Sequence, residues 1–241
     1  MSTVLLVRHG RSTANADGIL AGRNPGIDLD DRGREQATAV GERLAEAPLA
    51  TVVSSPMERC QQTAALIRPD LPPVLEDRLT ECDYGAWSGR KLTELAGEEL
   101  WRTVQSQPSA ARFPKGESLP EMAARSVQAI RDWDGRITAE HGPDAIWLAV
   151  SHGDVIKSIV ADALGLHLDL FQRVVVDPAS VTIIQYAQAR PSVLSVNVTG
   201  REIAALVQAQ RERAEKAAKE AAEGKESTPQ SGDAVVGGRD A

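Results

Sequence analysis

Apolar residues follow two patterns along this chain, and their alternation predicts its architecture. Residues 3–7, Thr-Val-Leu-Leu-Val, form a short β-branched and aliphatic run without polar alternation, which suits a strand covered on both faces of a parallel sheet. Residues 146–150 are a second such run, and residues 51–53 a shorter one. Between strands, Ala37, Val40, Leu44 and Ala47 recur at helical spacing over residues 31–47, and Pro48 stops the pattern. Residues 57–67 read as a helix opened by Ser54, Ser55 and Pro56, residue types that favour helix starts. Further helical patterns cover 91–101, 119–139 and 155–164, with loops at 81–89 and 106–116. Residues 174–176, 181–186 and 193–198 predict closing strands, separated by turn residues at Asp177-Pro178 and Arg190-Pro191. Strands alternating with helices predict an α/β fold of three layers, α/β/α, around a mostly parallel central sheet.

Composition narrows the function classes. The chain has 241 residues, 42% of them hydrophobic, enough to bury a sizeable core. Its 27 Lys and Arg against 34 Asp and Glu give a net charge of −7, which argues against a general nucleic-acid partner. Aromatic residues are only 3%, leaving few platforms for stacked bases or anchors for a membrane interface. No window approaches the roughly 20 apolar residues that span a bilayer, and the N-terminal apolar stretch is cut off by Arg8, so neither membrane nor export is expected. The two cysteines, Cys60 and Cys82, are too few for a disulfide scaffold, and reduced thiols in a cytoplasm fit them best. After about residue 208 the chain holds no Leu, Ile or aromatic residue, a composition that cannot pack a core.

Candidate chemistry gathers after the buried strands. Ligands of open α/β sheets bind beyond the carboxyl ends of the strands, and two of the four histidines, His9 and His152, fall there. Each is followed by glycine, Gly10 and Gly153, so backbone amides can approach a ligand without an intervening side chain. Arg8 beside His9, and Arg59 in the helix after the second strand, add guanidinium forks suited to phosphate oxygens. Singly, each of these has an ordinary structural reading, and Glu81 alone reads as a surface carboxylate. Together they point to an anion site.

These residues carry a family resemblance. Leu6-Val7-Arg8-His9-Gly10-Arg11-Ser12-Thr13-Ala14-Asn15 resembles the signature of the histidine phosphatase superfamily, which has the phosphoglycerate mutase-like fold. Further pieces follow in the same order: Leu29, Gly33 and Gln36-Ala37, then residues 54–64, residues 81–89, Gly116-Glu117-Ser118, and Ser151-His152-Gly153. The resemblance covers roughly residues 1–200. It implies a catalytic domain over residues 1–205, leaving residues 206–241 as a charged, Ala/Glu/Lys-rich tail expected to be disordered. It also implies that His9 is a nucleophile that becomes phosphohistidine, that Arg8, Arg59 and His152 surround the transferring phosphoryl group, and that Glu81 is the general acid and base. Asn15 and the Gly153 amide would complete the phosphate cradle, and no metal or other cofactor is implied. Position 11 departs from the pattern, being Arg where many relatives carry Glu or Gln, and its expected role is a solvated side chain.

The loop over residues 81–89 resembles the phosphatase type, and residues 91–145 are compact with scattered basic residues, so the phosphatase branch is expected and a phosphomonoester hydrolase acting on a small phosphorylated metabolite is the first reading. A phosphoglycerate mutase-type phosphotransferase is the alternative, and an inactive phosphate-binding module a third. His141 and His167 form no ligand-like cluster with His9 or His152, which disfavours a metal-dependent phosphoesterase. The single Gly-Lys pair, Gly224-Lys225, lies in the tail and excludes a P-loop. Specificity is expected from residues 19–26, 84–91 and 106–118. Oligomeric state stays open, a homodimer included.

Overall fold

The computed structural model describes residues 2–187 and 189–200; the tail expected over 206–241, and the boundary at 205, lie outside them. Six strands, β1 (Thr3–Arg8), β2 (Leu49–Ser54), β3 (Val74–Leu75), β4 (Ile146–Ser151), β5 (Val181–Tyr186) and β6 (Pro191–Val198), form one sheet in the order β3-β2-β4-β1-β5-β6. The pairs β3–β2, β2–β4 and β4–β1 are parallel, whereas β5 and β6 add antiparallel at the β1 edge. This is the mostly parallel sheet that the pattern predicts.

The unbroken apolar runs have a direct cause. Val4 and Leu6 of β1 face a core shared with α6 (Leu119–His141) and α7 (Gly153–Ala163), in which Met122, Ile130, Ile137, Ile156 and Ile159 are fully or almost fully buried. Leu5 and Val7 face the opposite core, shared with α2 (Asp31–Arg43) and α3 (Glu58–Ile67), where Val40, Cys60, Ala64 and Ile67 pack. Both faces of the strand are covered, so neither set of alternate positions is polar. The layers are therefore helix, sheet, helix.

Several expectations need correction. Residues 174–176 form no strand: Val175 is exposed, and the Val176 carbonyl is taken by the Arg8 Nη1 at 2.7 Å instead of by a neighbouring strand. The helix expected over 91–101 is broken at Ala96-Gly97-Glu98 into α4 (Leu92–Leu95) and α5 (Glu99–Ser106). The short α1 (Thr13–Ala16) and β3 carry too few apolar positions to show a period. Ser54 and Ser55 precede α3 without being its cap, which is Met57; the Ser55 hydroxyl accepts from the Met57 amide at 3.3 Å and meets His152 Nε2 at 2.8 Å. Two glycines are required by close packing. A Cβ on Gly33 would lie 2.0 Å from the Arg11 carbonyl oxygen, and one on Gly10 would lie 2.4 Å from that of Gly33, so the start of α2 presses directly on the loop after β1.

Candidate active site

Strand register brings the predicted residues together. Arg8 lies opposite Ser151 across the β1–β4 pair and Ser54 opposite Val150 across β2–β4, so three parallel strands end at one level. The ladder runs one residue further, with the His9 amide donating to the Ser151 carbonyl and the Ser55 amide to the Val150 carbonyl, both at 2.9 Å. His9 and His152 are thereby set side by side, ring centroids 5.2 Å apart, although 143 positions separate them in the sequence.

His9 is almost fully buried, and its Nδ1 lies 2.7 Å from the Gly10 carbonyl oxygen. A carbonyl only accepts, so Nδ1 carries the proton and Nε2 keeps its lone pair. That lone pair faces Arg59, whose Nε donates to it at 3.3 Å. Burial first, then the Arg59 and Arg8 charges, push the His9 pKa well below its ordinary value and keep the ring neutral.

Arg59, on the first turn of α3, is buried to 1% exposure despite its charge. Its Nη2 donates to the Gly22 carbonyl at 2.9 Å and to His152 Nδ1 at 3.2 Å, while the Ser55 hydroxyl meets His152 Nε2 at 2.8 Å. Among the described residues, two buried guanidinium nitrogens have no hydrogen-bond partner, Arg59 Nη1 and Arg8 Nε. A buried unsatisfied donor is costly, and two of them on arginines that line one cavity with His9 suit an anion. His152 is fully buried and, like His9, is held neutral by burial and then by the Arg59 charge.

Glu81 closes the cradle. Its Oε1 accepts from the Cys82 amide at 2.9 Å and its Oε2 lies 3.9 Å from His152 Nδ1. Burial, reinforced by the Asp154 carboxylate, pushes its pKa up to about 7 against the opposing Cys82 amide and the Arg59 and Arg8 charges. Arg8, His9, Asn15, Arg59, Glu81 and Gly153 all line one cavity of about 310 Å³, with His152 directly behind Arg59. Asn15 is exposed on α1, where its Oδ1 accepts from the Ser12 amide and hydroxyl at 3.1 and 3.0 Å. Gly153 opens α7 beside the Arg8 guanidinium, which lies within ordinary contact of it. Arg11 does not line the cavity; it forms an ion pair with Asp30 at 2.6 Å while its side chain stays partly exposed to solvent.

The model of the histidine phosphatase superfamily (branch 1) matches residues 4–199. The chain belongs to the histidine phosphatase superfamily. It is 30% identical over 206 residues to phosphoserine phosphatase 1 of Hydrogenobacter thermophilus, covering 83% of this chain and 93% of that one. It is 32% identical over 193 residues to "Probable phosphoglycerate mutase GpmB" of Erwinia tasmaniensis, covering 78% and 87%. The alpha-ribazole phosphatase of Shigella flexneri superposes with a TM-score of 0.71 at 27% identity, covering 82% of this chain and 96% of that one.

For a histidine phosphatase the cavity holds residues that sequence patterns missed. Ser12, Trp101, Val104, Gln105, Lys157 and Gln172 lie outside the segments expected to set specificity, because helical periodicity and loop composition do not say which faces converge. Tyr84, inside one of those segments, donates its hydroxyl to Asp154 at 2.8 Å. Cys60 and Cys82 are buried, and burial pushes the Cys60 thiol up to about 12 and the Cys82 thiol higher, so both are held as protonated thiols. Among the described residues no three His, Cys, Asp or Glu side chains cluster as a metal site, and no helix is long and apolar enough to cross a membrane.

The backbone of Glu81 is clamped from two sides. Its carbonyl accepts from Arg23 Nε at 2.8 Å and from Arg125 Nη2 at 3.0 Å, and both arginines are paired with Glu117. Burial alone would raise the Glu117 pKa, but the Arg125 hydrogen bond and the Asp83 amide outweigh it and hold the carboxyl below its usual range. Glu117, noticed in the sequence only as part of a motif, thus positions the loop that carries Glu81. Glu117→Gln is expected to lower kcat for alkyl phosphates by about ten- to a hundredfold, and to slow the burst release of nitrophenolate from 4-nitrophenyl phosphate much less, because that leaving group needs little protonation. Equal losses on both esters would indicate a merely structural role.

Proposed function

We propose that this protein is a metal-independent phosphomonoester hydrolase that works through a phosphohistidine on His9. One observation carries the reading: the unprotonated Nε2 of a neutral, buried histidine lines the same cavity as Arg8 and Arg59, each of which has one buried guanidinium nitrogen without a partner among the described residues. An incoming phosphate ester supplies the missing acceptors. Arg8 Nε and Arg59 Nη1 donate to its equatorial oxygens, and the Gly153 amide at the start of α7 and the Asn15 carboxamide complete the cradle. His152 accepts from Arg59 Nη2 at Nδ1 and is held by the Ser55 hydroxyl at Nε2, so it fixes the guanidinium that meets the phosphoryl oxygens.

The His9 Nε2 lone pair forms the bond to phosphorus as the phosphorus–oxygen ester bond breaks. The departing oxygen receives that electron pair and the proton of Glu81, which a pKa of about 7 keeps available near neutrality. The Glu81 carboxylate next takes a proton from water as the water oxygen attacks phosphorus, the nitrogen–phosphorus bond breaks, and His9 recovers its lone pair. The substrate is a small phosphorylated metabolite. Two buried free thiols suit a reducing compartment, and the cytoplasm is the proposed location.

A phosphoglycerate mutase-type transferase is the second reading, favoured by the similarity to the Erwinia tasmaniensis protein. The phosphatase-type loop at residues 81–89 favours hydrolysis. Rapid quenching with a radiolabelled aryl phosphate in the presence of EDTA tests both. The expected result is an acid-labile phosphate on His9 that decays to inorganic phosphate. Transfer to added 3-phosphoglycerate far faster than release to water would favour the mutase, and turnover abolished by EDTA would refute the metal-independent reading.

A further inference from the structure

The chain has only eight aromatic residues, and four of them, Tyr84, Trp87, Trp101 and Phe113, line the active-site cavity. They form a connected series: Tyr84 meets Phe113 edge-on at 4.9 Å, Phe113 meets Trp87 at 5.3 Å, and Trp87 stacks on Trp101 at 6.2 Å with 29° between the planes. Three of the four are buried and act as support. Trp101 is half-buried, and beside it Leu20, Leu92 and Val104 complete an apolar wall, with Leu92 39% exposed although it lines a concave site.

Charge is distributed to match. Beyond Arg8 and Arg59 in the cradle, the one cationic side chain lining the cavity among the described residues is Lys157. It is already engaged, donating to Gln172 Oε1 at 2.9 Å and paired with Asp154 at 3.5 Å. An ester whose alcohol carries a carboxylate would find no unpaired cation among the described lining residues and would face the Asp154 carboxylate instead. The cavity volume of about 310 Å³ equals roughly ten waters at ~30 Å³ each, leaving space well beyond a phosphoryl group.

We propose that the preferred substrate is the phosphomonoester of an uncharged alcohol with a flat apolar body, which lies on Trp101 and Leu92 while its phosphate sits on His9. This rests on the hydrolase reading above. The aromatic series holds Trp101 rigid, so a flat group gains contact at little ordering cost, and Gln105 and Gln172 offer neutral hydrogen-bonding groups for a polar substituent.

The test compares three esters of alkanols with similar leaving groups: 2-phenylethyl phosphate, ethyl phosphate and O-phospho-L-serine. The expected order of kcat/KM is phenylethyl, ethyl, phosphoserine, with the first exceeding the last by about tenfold or more. Trp101→Ala should raise KM for the phenylethyl ester and compress that ratio several-fold. Because removing Trp101 also loosens Trp87, a second variant is needed: Leu92→Lys, at an exposed position, adds an unpaired cation to the wall and should shift the ratio toward phosphoserine. Phosphoserine as the best of the three, or unchanged ratios in both variants, overturns the substrate assignment while leaving the hydrolase intact. Absence of turnover on all three together with no phosphate on His9 overturns the hydrolase reading and this one with it.

Discussion

Replacing His9 by alanine is expected to lower kcat on an aryl phosphate by at least about ten-thousand-fold, because the proposed covalent intermediate forms on its Nε2. The neighbouring groups cannot substitute. His152 Nε2 is committed to Ser55 and its Nδ1 faces Arg59, and the Cys60 thiol beside it is kept protonated by burial. Phosphate binding should survive, since Arg8 and Arg59 keep their unpartnered N–H groups, and calorimetric titration with inorganic phosphate should give a Kd within about tenfold of the native protein. The variant also changes how stability depends on pH. His9 has a folded pKa depressed below its ordinary 6.5, so the folded state binds fewer protons and stability falls as pH drops below 6.5. Removing His9 removes its share of that decline, leaving the share of His152. Denaturant titrations at pH 7.5 and 5.5 should therefore show a smaller difference for His9→Ala than for the native chain. Retention of a tenth of native activity would rule His9 out as the nucleophile.

The second large effect belongs to Glu81. In the proposed mechanism its carboxyl is protonated for the first step, and burial with the Asp154 charge pushes its pKa up to about 7. Proton occupancy falls as pH rises through that value, so kcat/KM for an alkyl phosphate should fall about tenfold per pH unit above it. The sign for stability runs the same way: a carboxyl whose folded pKa lies above its ordinary 4.5 stabilises the fold below pH 4.5 and loses that contribution as pH rises through about 7. Glu81→Gln should abolish the alkaline limb and lower the rate on alkyl esters by about a hundred- to ten-thousand-fold, the usual worth of a positioned general acid. With 4-nitrophenyl phosphate the phenolate leaves unaided and water attack becomes the slow step. A burst of about one equivalent of nitrophenolate, followed by slow turnover and accumulated phosphohistidine, is then the expected trace. An alkaline limb that persists in Glu81→Gln would assign the proton to another group.

Much of this could be read from residue order. The buried runs at residues 3–7 and 146–150, and helical spacing in residues 31–47 and 119–139, are local signals, and burial of both sheet faces writes them directly into composition. Position after a strand, followed by glycine, marked His9 and His152. The strand expected over residues 174–176 failed because three β-branched residues carry a strand propensity that only a paired neighbour can realise, and Arg8 takes the Val176 carbonyl instead. The break in the helix expected at 91–101 was marked by Gly97, whose weight against the surrounding helical pattern a single sequence cannot fix.

What the sequence determined by itself was the alternation of strands and helices, the two strand-end histidines with their arginines, and the family motif around them, since each depends on residues near one another in the chain. The tertiary structure alone decided which groups are charged and which are free to bind. The neutral state of His9, the raised pKa of Glu81 and the unpartnered nitrogens of Arg8 and Arg59 come from burial and from neighbours far away in sequence. So do the clamp of Arg23, Arg125 and Glu117 on the Glu81 backbone, and the wall that Trp101 and Leu92 present across from the phosphate cradle. Desolvation and Coulomb interactions act over a few ångströms in space, and only the packed chain defines that distance.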